Sequence, residues 1–326
     1  MNSATNPTAA VHTALLFPGQ GSQKAGMLAE LYDDFPLIAQ TFAEASSAAD
    51  VDLWHIAQGD DRLNQTEFTQ PVLLTASIAL WRVWRELGGI VPAAMAGHSL
   101  GEYSALVAAG ALSLSDGVRL VSRRGRLMQE AVPAGQGAMA AILGMSDADV
   151  MTHCQAVSQQ TGLVVDAANF NAEGQVVIAG DQAAVAEAIR VVKSLGAKAI
   201  LLPVSVPSHC RLMQPAAEQL AQLLTDVPLH HPDIPVIQNA RAMIAPDLDA
   251  IRQGLIDQLS QPVLWTQSMQ QLSKMGVTHV VECGAGNVLA NLAKRMNKPL
   301  TAYMTDTRSR LDQALSAVSL SEGKLA

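Results

Sequence analysis

The stretch Gly97-His98-Ser99-Leu100-Gly101 constrains this chain more than any other. The apolar "AAMA" leads into it and the helical pattern "EYSALVAAGAL" leads out. A serine between two glycines at a strand-to-helix junction needs a turn so tight that the flanking positions tolerate little more than a hydrogen. Such a turn belongs to a parallel α/β sheet, in which strands end at one edge and helices return the chain. The rest of the sequence keeps that rhythm. "ALLF" (14–17), "AAMAGH" (93–98) and "THVVECG" (278–284) read as buried strands, and segments after residue 26, around 70–87, 101–111 and 114–132 as intervening helices.

The rhythm changes at the Pro/Gly-rich "VPAGQG" of 132–137. From there "GAMAAILGM" reads as a strand, "DADVMTHCQAVSQQ" as a helix, "LVVDAANF" and "GQVVIAG" as a strand pair, "QAAVAEAIRVVKSLG" as a helix and "KAILLPV" as a strand. The order βαββαβ is the ferredoxin-like signature. The expected architecture is therefore a large α/β-hydrolase-like domain with a parallel sheet, formed by residues 1–132 and 206–326. A small ferredoxin-like domain, residues 133–205, is inserted in it.

With 326 residues, 49% hydrophobic and 15% charged, the chain reads as ordered and enzyme-sized. A net charge of −8 provides no general field for nucleic acid or an anionic membrane. Cys154, Cys210 and Cys283 are too few and too dispersed for a disulfide framework or a Cys-x-x-Cys metal site, so reduced thiols and no metal are expected. The N-terminus lacks the basic and apolar regions of a leader, and the apolar runs are cut by charges such as Arg82 and Arg85. A soluble, cytoplasmic protein is the expectation.

Gly97-His98-Ser99-Leu100-Gly101 is a G-x-S-x-G nucleophile elbow, with a turn serine between packing glycines as the plainer reading. A serine hydroxyl needs a base, usually histidine. Of eight histidines, His98 adjoins the serine but leaves the turn in another direction. His209, in "LLPVSVPSHC", follows a strand in a loop stiffened by Pro203 and Pro207, where catalytic groups of α/β proteins gather. It is the best placed of the eight.

A third signal is a charge on an apolar face. In the helix around 114–132, Leu120, Val121, Leu127, Met128, Ala131 and Val132 share one side, and Arg124 projects from its middle, while Arg119 and Arg126 point away. A guanidinium stays charged, and burying it unpaired is costly, so Arg124 requires an anion. That anion is either a structural Asp or Glu or the carboxylate of a substrate gripped bidentately. The glycine-rich "FPGQGSQ" (17–23), also between strand and helix, invites an anion as well. It has neither the Gly-Lys-Ser/Thr of a P-loop nor the spacing of a dinucleotide fingerprint.

Taken together, the chain resembles the bacterial malonyl-coenzyme A:acyl carrier protein transacylases of fatty-acid synthesis. "FPGQGSQ", "TQPVLLTAS", "AGHSLGEYSALVAAG", "RRGRLMQEAVPAGQGAMAAI", "NFNAEGQVVIAG", "LPVSVPSHC" and "QPVLWTQS" stand in that family's order across nearly the whole chain. Acyltransferases of polyketide synthesis and malonate metabolism share many of these motifs. The resemblance implies that Ser99 is acylated, that His209 is its base and that Arg124 binds the malonyl carboxylate. It implies further that the backbone N–H groups of Gln20 and Leu100 form the oxyanion hole, and that the backbone carbonyl of Gln258 orients the histidine. Gln70, Asn169 and Asn171, with His98 beside the serine, would line the pocket. The family uses no catalytic aspartate, so Asp166 is not nominated, although it lies between serine and histidine in the order of a hydrolase triad. Ala285 and Asn287 stand where relatives commonly carry proline and lysine, and the arm before His12 looks longer than usual.

The implied reaction is a ping-pong transfer from malonyl-coenzyme A to the phosphopantetheine thiol of acyl carrier protein, with no cofactor and by a monomer. Because such carriers are acidic, Lys294, Arg295 and Lys298 are the expected docking patch, with Lys24 and Arg123 as further cations. A solvated helix end explains the same charges. Rival readings are a serine esterase or thioesterase, which needs the same elbow and base, and a non-catalytic binding module.

Overall fold

The computed structural model describes residues 12–204, 206–296 and 300–323. The first elements follow from composition. The apolar "TALLF" forms β1 (Thr13–Phe17), and "AMAG" forms β2 (Ala94–Gly97) parallel to it, pairing Phe17 with Gly97. Two-residue β7 (Val236–Ile237) extends the sheet beyond β2, while β8 (His279–Glu282) and β9 (Thr301–Met304) extend it beyond β1. The order β7-β2-β1-β8-β9 is parallel throughout. Side chains alternate across it. Leu15 and Phe17 enter the core shared with helices Pro36–Ala49, Thr66–Glu86 and Leu114–Ala131, whereas Ala14 and Leu16 enter the core under Trp265, Met269 and Leu289.

Residues 137–201 form the second sheet from β3 (Gly137–Leu143), β4 (Val165–Ala172), β5 (Gln175–Asp181) and β6 (Lys198–Leu201). Its antiparallel order β4-β5-β3-β6, with helices Asp147–Thr161 and Gln182–Ser194 on one face, has the ferredoxin-like topology read from the sequence. Ala138, Ala140 and Ile142 of β3 pack beneath those helices. Met139 points the other way, and with Val177 and Ala179 it packs on Cys210, next to His209. The small sheet is thereby seated on the histidine loop.

β4 is also tied to the larger unit, since Phe170 N donates to Val263 O at 3.0 Å and Val263 N to Ala168 O at 2.9 Å. One expectation is modified at β6, which ends at Leu201 rather than running on through 204. Ile200 and Leu201 are 54% and 62% exposed, because β6 is an edge strand that, among the described residues, pairs only with β3. No described helix is long and apolar enough to cross a membrane.

Candidate active site

The elbow is built by close approach of backbones. A side chain on Gly97 would strike the carbonyl of Gly101, and one on Gly101 would strike the carbonyl of Phe17 at the end of β1. Only hydrogens fit at either place. Ser99 takes φ 52° and ψ −110°, an uncommon conformation for a residue with a side chain, and caps the elbow helix Leu100–Ala108. The strain is held by Asn239, which follows β7. Its Oδ1 accepts from Ser99 N at 2.6 Å, and its Nδ2 donates to Gly97 O at 2.6 Å. The "FPGQGSQ" loop lies against the same turn, because His98 N donates to Phe17 O at 3.0 Å and a side chain on Gly19 would collide with His98 O.

His209 is 3% exposed and reaches the serine with Nε2 at 2.8 Å from Ser99 Oγ. Its Nδ1 lies 2.6 Å from the backbone carbonyl of Gln258, an acceptor only, so Nδ1 carries the proton and Nε2 presents a lone pair to the hydroxyl. Its backbone is locked at φ 63° by a bond from His209 N to Leu259 O at 3.0 Å. Burial, with the nearby Arg124 cation, pushes the imidazole down to about 3. It is therefore a neutral base at any physiological pH.

Arg124 is 1% exposed and, among the described residues, forms no ion pair with a carboxylate. Its Nη1 donates to Gln70 Oε1 at 2.9 Å, and its Nη2 donates to Gln258 Oε1 at 2.9 Å and to Ser99 Oγ at 3.2 Å. Its Nε, although buried, has no hydrogen-bond partner among the described residues. The guanidinium also lies 5.3 Å from the ring centre of Tyr103. Elsewhere in this protein Arg62 and Arg211 use the Nε and Nη2 edge to hold Asp60 and Asp166. In Arg124 the Nη2 of that edge reaches Ser99 Oγ, and no carboxylate among the described residues lies on it. The internal carboxylate that the sequence left open as its partner does not occupy it.

Gln20, Gln70, His98, Leu100, Asn169 and Asn171 join Ser99, Arg124 and His209 around one cleft of about 280 Å³ between the two sheets. Gln20 Nε2 donates to Thr66 Oγ1 at 3.2 Å, and His98 Nε2 pairs with Asn171 Oδ1 at 2.8 Å. Asn169 Nδ2 is buried without a partner among the described residues. Gln258 does not line the cleft, but both its backbone and its side chain serve groups that do. Asp166 is held by Arg211 at 2.9 Å and is not among the residues lining this cleft. Lys294 and Arg295 are exposed at the end of helix Val288–Ala293, which lines the cleft with Val288, Leu289 and Leu292. Lys298, the third residue of the expected patch, and the arm before His12 lie outside the described residues. Among the described residues no group of His, Cys, Asp and Glu is arranged to hold a metal.

Two residues that sequence reasoning missed are Asn239 and Glu102. Glu102 is fully buried on the elbow helix, and its Oε2 accepts from Asn239 N at 3.0 Å and from Gln258 Nε2 at 2.6 Å. Burial pushes its carboxyl up to about 7. A carboxylate within the apolar run "LGEYSALVA" was the available signal, of the same kind that exposed Arg124. Asn239, in the turn after a two-residue strand, carried none.

A strained serine, a neutral histidine oriented by a carbonyl and an unpaired buried cation define a serine acyltransferase site. Residues 14–305 match the family described as "Acyl transferase domain", and the chain belongs to that family. Its relatives narrow the class. The malonyl CoA-acyl carrier protein transacylase of Escherichia coli K12 is 50% identical over 305 residues, covering 93% of this chain and 98% of that one. The transacylase of the same name from Bacillus subtilis is 44% identical over 308 residues, with 94% and 96% covered. The crystal structure of FabD from Acinetobacter baumannii superposes with a TM-score of 0.95 at 57% identity, covering 96% of this chain and 100% of that one. A malonyl-transacylase solved in complex with the acyl carrier protein of a type II polyketide synthase has a TM-score of 0.91 at 47% identity, with 94% and 99% covered.

Proposed function

We propose that this chain transfers the malonyl group of malonyl-coenzyme A to the phosphopantetheine thiol of acyl carrier protein, through a malonyl-serine, in fatty-acid synthesis. The observation that carries the reading is Arg124: a fully buried guanidinium that reaches Ser99 Oγ through Nη2 and, among the described residues, has no carboxylate paired with it. An acyl group bonded to Ser99 Oγ and ending in a carboxylate supplies the missing anion.

In the first half-reaction Ser99 Oγ attacks the thioester carbonyl as its proton passes to His209 Nε2, 2.8 Å away. The carbonyl oxygen becomes an oxyanion facing the N–H groups of Gln20 and Leu100, neither of which has an acceptor among the described residues. Collapse of the intermediate breaks the C–S bond, and the imidazolium returns the proton to the sulfur of coenzyme A. In the second half-reaction the carrier's thiol gives its proton to His209 Nε2 and attacks the ester, and Ser99 regains its hydrogen as it leaves. The carbonyl of Gln258 orients the imidazole without contributing a charge. Nothing in this sequence of steps requires a metal or redox cofactor.

Lys294 and Arg295, exposed beside the cleft, are proposed to meet the acidic carrier, although Arg295 Nη1 already donates to Gln175 Oε1 at 2.8 Å. Incubation with malonyl-coenzyme A, with and without phosphopantetheinylated carrier, tests the function. Malonyl-carrier should form, and free malonate should be slow. Malonate released at the same rate either way would make the protein a thioesterase.

A further inference from the structure

Glu102 sits three residues after the nucleophile, fully buried and outside the lining of the cleft, with no part in the steps above. An amide such as that of Gln258 is nearly the same shape either way round, so its neighbours choose its orientation. Here the amide lies between a cation and an anion. Its Nε2 donates to Glu102 Oε2 at 2.6 Å and to Ser99 O at 3.0 Å, which leaves Oε1 to receive Arg124 Nη2 at 2.9 Å. Turned over, the amide would set N–H against N–H on one side and oxygen against carboxylate on the other.

We propose that Glu102 is a positioning residue for acyl selectivity. It holds the Gln258 amide oxygen toward Arg124, and so balances the buried cation from one amide away while leaving the guanidinium's Nε and Nη2 edge without a carboxylate of the protein's own, so that the carboxylate of the acyl group can take Nε and share Nη2. A direct Glu–Arg pair would neutralise the cation equally well but would consume that edge. The same carboxylate accepts from Asn239 N at 3.0 Å, and Asn239 clamps the serine turn, so nucleophile, base-orienting residue and acyl anchor share one buried anion.

The inference rests on the malonyl-transfer reading, and steady-state kinetics with malonyl- and acetyl-coenzyme A separate the two. Glu102→Gln keeps the volume but removes the charge that decides the orientation of Gln258. Malonyl kcat/KM should fall about tenfold, about 1.4 kcal/mol, mainly through KM, while acetyl transfer changes less than about threefold. Parallel losses for both donors, or malonyl transfer unchanged or improved, would overturn the proposal. Absence of malonyl transfer in the unaltered protein would instead refute the reading beneath it.

A second measurement needs no variant. Glu102, pushed up to about 7 chiefly by burial, is ionised above that pH and protonated below it. The malonyl-to-acetyl ratio of the unaltered protein should therefore fall as pH drops through about 7, and that of Glu102→Gln should stay level. The charged neighbours do not titrate there: Arg124 stays a cation, Tyr103 is pushed up to about 12 and His209 down to about 3. His98, lowered by burial, contributes alike in both proteins. A level ratio in the unaltered protein would also overturn the proposal.

Discussion

Arg124→Ala separates an acyl anchor from a structural cation. In the resting site the guanidinium spends Nη1 on Gln70 and Nη2 on Gln258 and Ser99 Oγ, and its Nε has no partner among the described residues. A malonyl carboxylate approaching over Ser99 would gain Nε and share Nη2, which amounts to two charge-assisted hydrogen bonds in a buried site. At about 1.5 kcal/mol each these contribute roughly 3 kcal/mol, or about a 150-fold loss of malonyl kcat/KM on truncation. Acetyl lacks the carboxylate, so with it bound Arg124 keeps Nε unmatched and has no carboxylate in direct contact. Truncation should leave acetyl transfer unchanged or raise it. The assay is transfer to carrier protein from both donors at matched concentrations, with thermal unfolding of the variant as a control, since Gln70 and Gln258 lose a partner. Equal losses for malonyl and acetyl in a protein that still folds would refute the anchoring argument.

The base should remain active far into acid. With His209 pushed down to about 3, the rate of serine acylation should show no loss attributable to an imidazole near pH 6.5 in pre-steady-state measurements. The same shift has a sign for stability. The unfolded histidine binds a proton below about 6.5 and the folded one does not, so its contribution is present above that pH and lost as pH falls toward 3, readable from Tm. Asn239→Ala should leave Ser99 N and Gly97 O without their clamp. It should cost about 1–3 kcal/mol of stability and lower kcat for malonyl and acetyl alike, seen by denaturant unfolding and kinetics. Reversing Lys294 and Arg295 to Glu should raise KM for the carrier at low salt and leave KM for malonyl-coenzyme A unchanged.

What was legible in the sequence follows the strength of each physical signal. The elbow could be read because backbone crowding admits only glycine at 97 and 101, and the inserted sheet because its helices and strands have distinct periods. Arg124 stood out as a charge in an apolar stripe. β7 and β9 did not, since two residues carry no periodicity and "TAYM" is only partly buried. The family resemblance gave Gln258 through its backbone carbonyl. Its side chain proved equally engaged, between Arg124 and Glu102, because that contact depends on segments 134 and 156 residues away meeting in space. Glu102 was missed, although the rule that exposed Arg124, an ionisable group among apolar neighbours, applies to it as well. The exposed apolar Ile200 and Leu201 were unreadable because being at a sheet edge is a property of the assembled sheet and not of a strand.

Intact-mass measurement after brief mixing with malonyl-coenzyme A, followed by peptide mapping, tests the central claim most directly. The account predicts one malonyl group on Ser99, discharged when phosphopantetheinylated carrier protein is added, and no adduct in Ser99→Ala. A protein that transfers malonyl without ever carrying it, or carries it on another residue, would contradict the account.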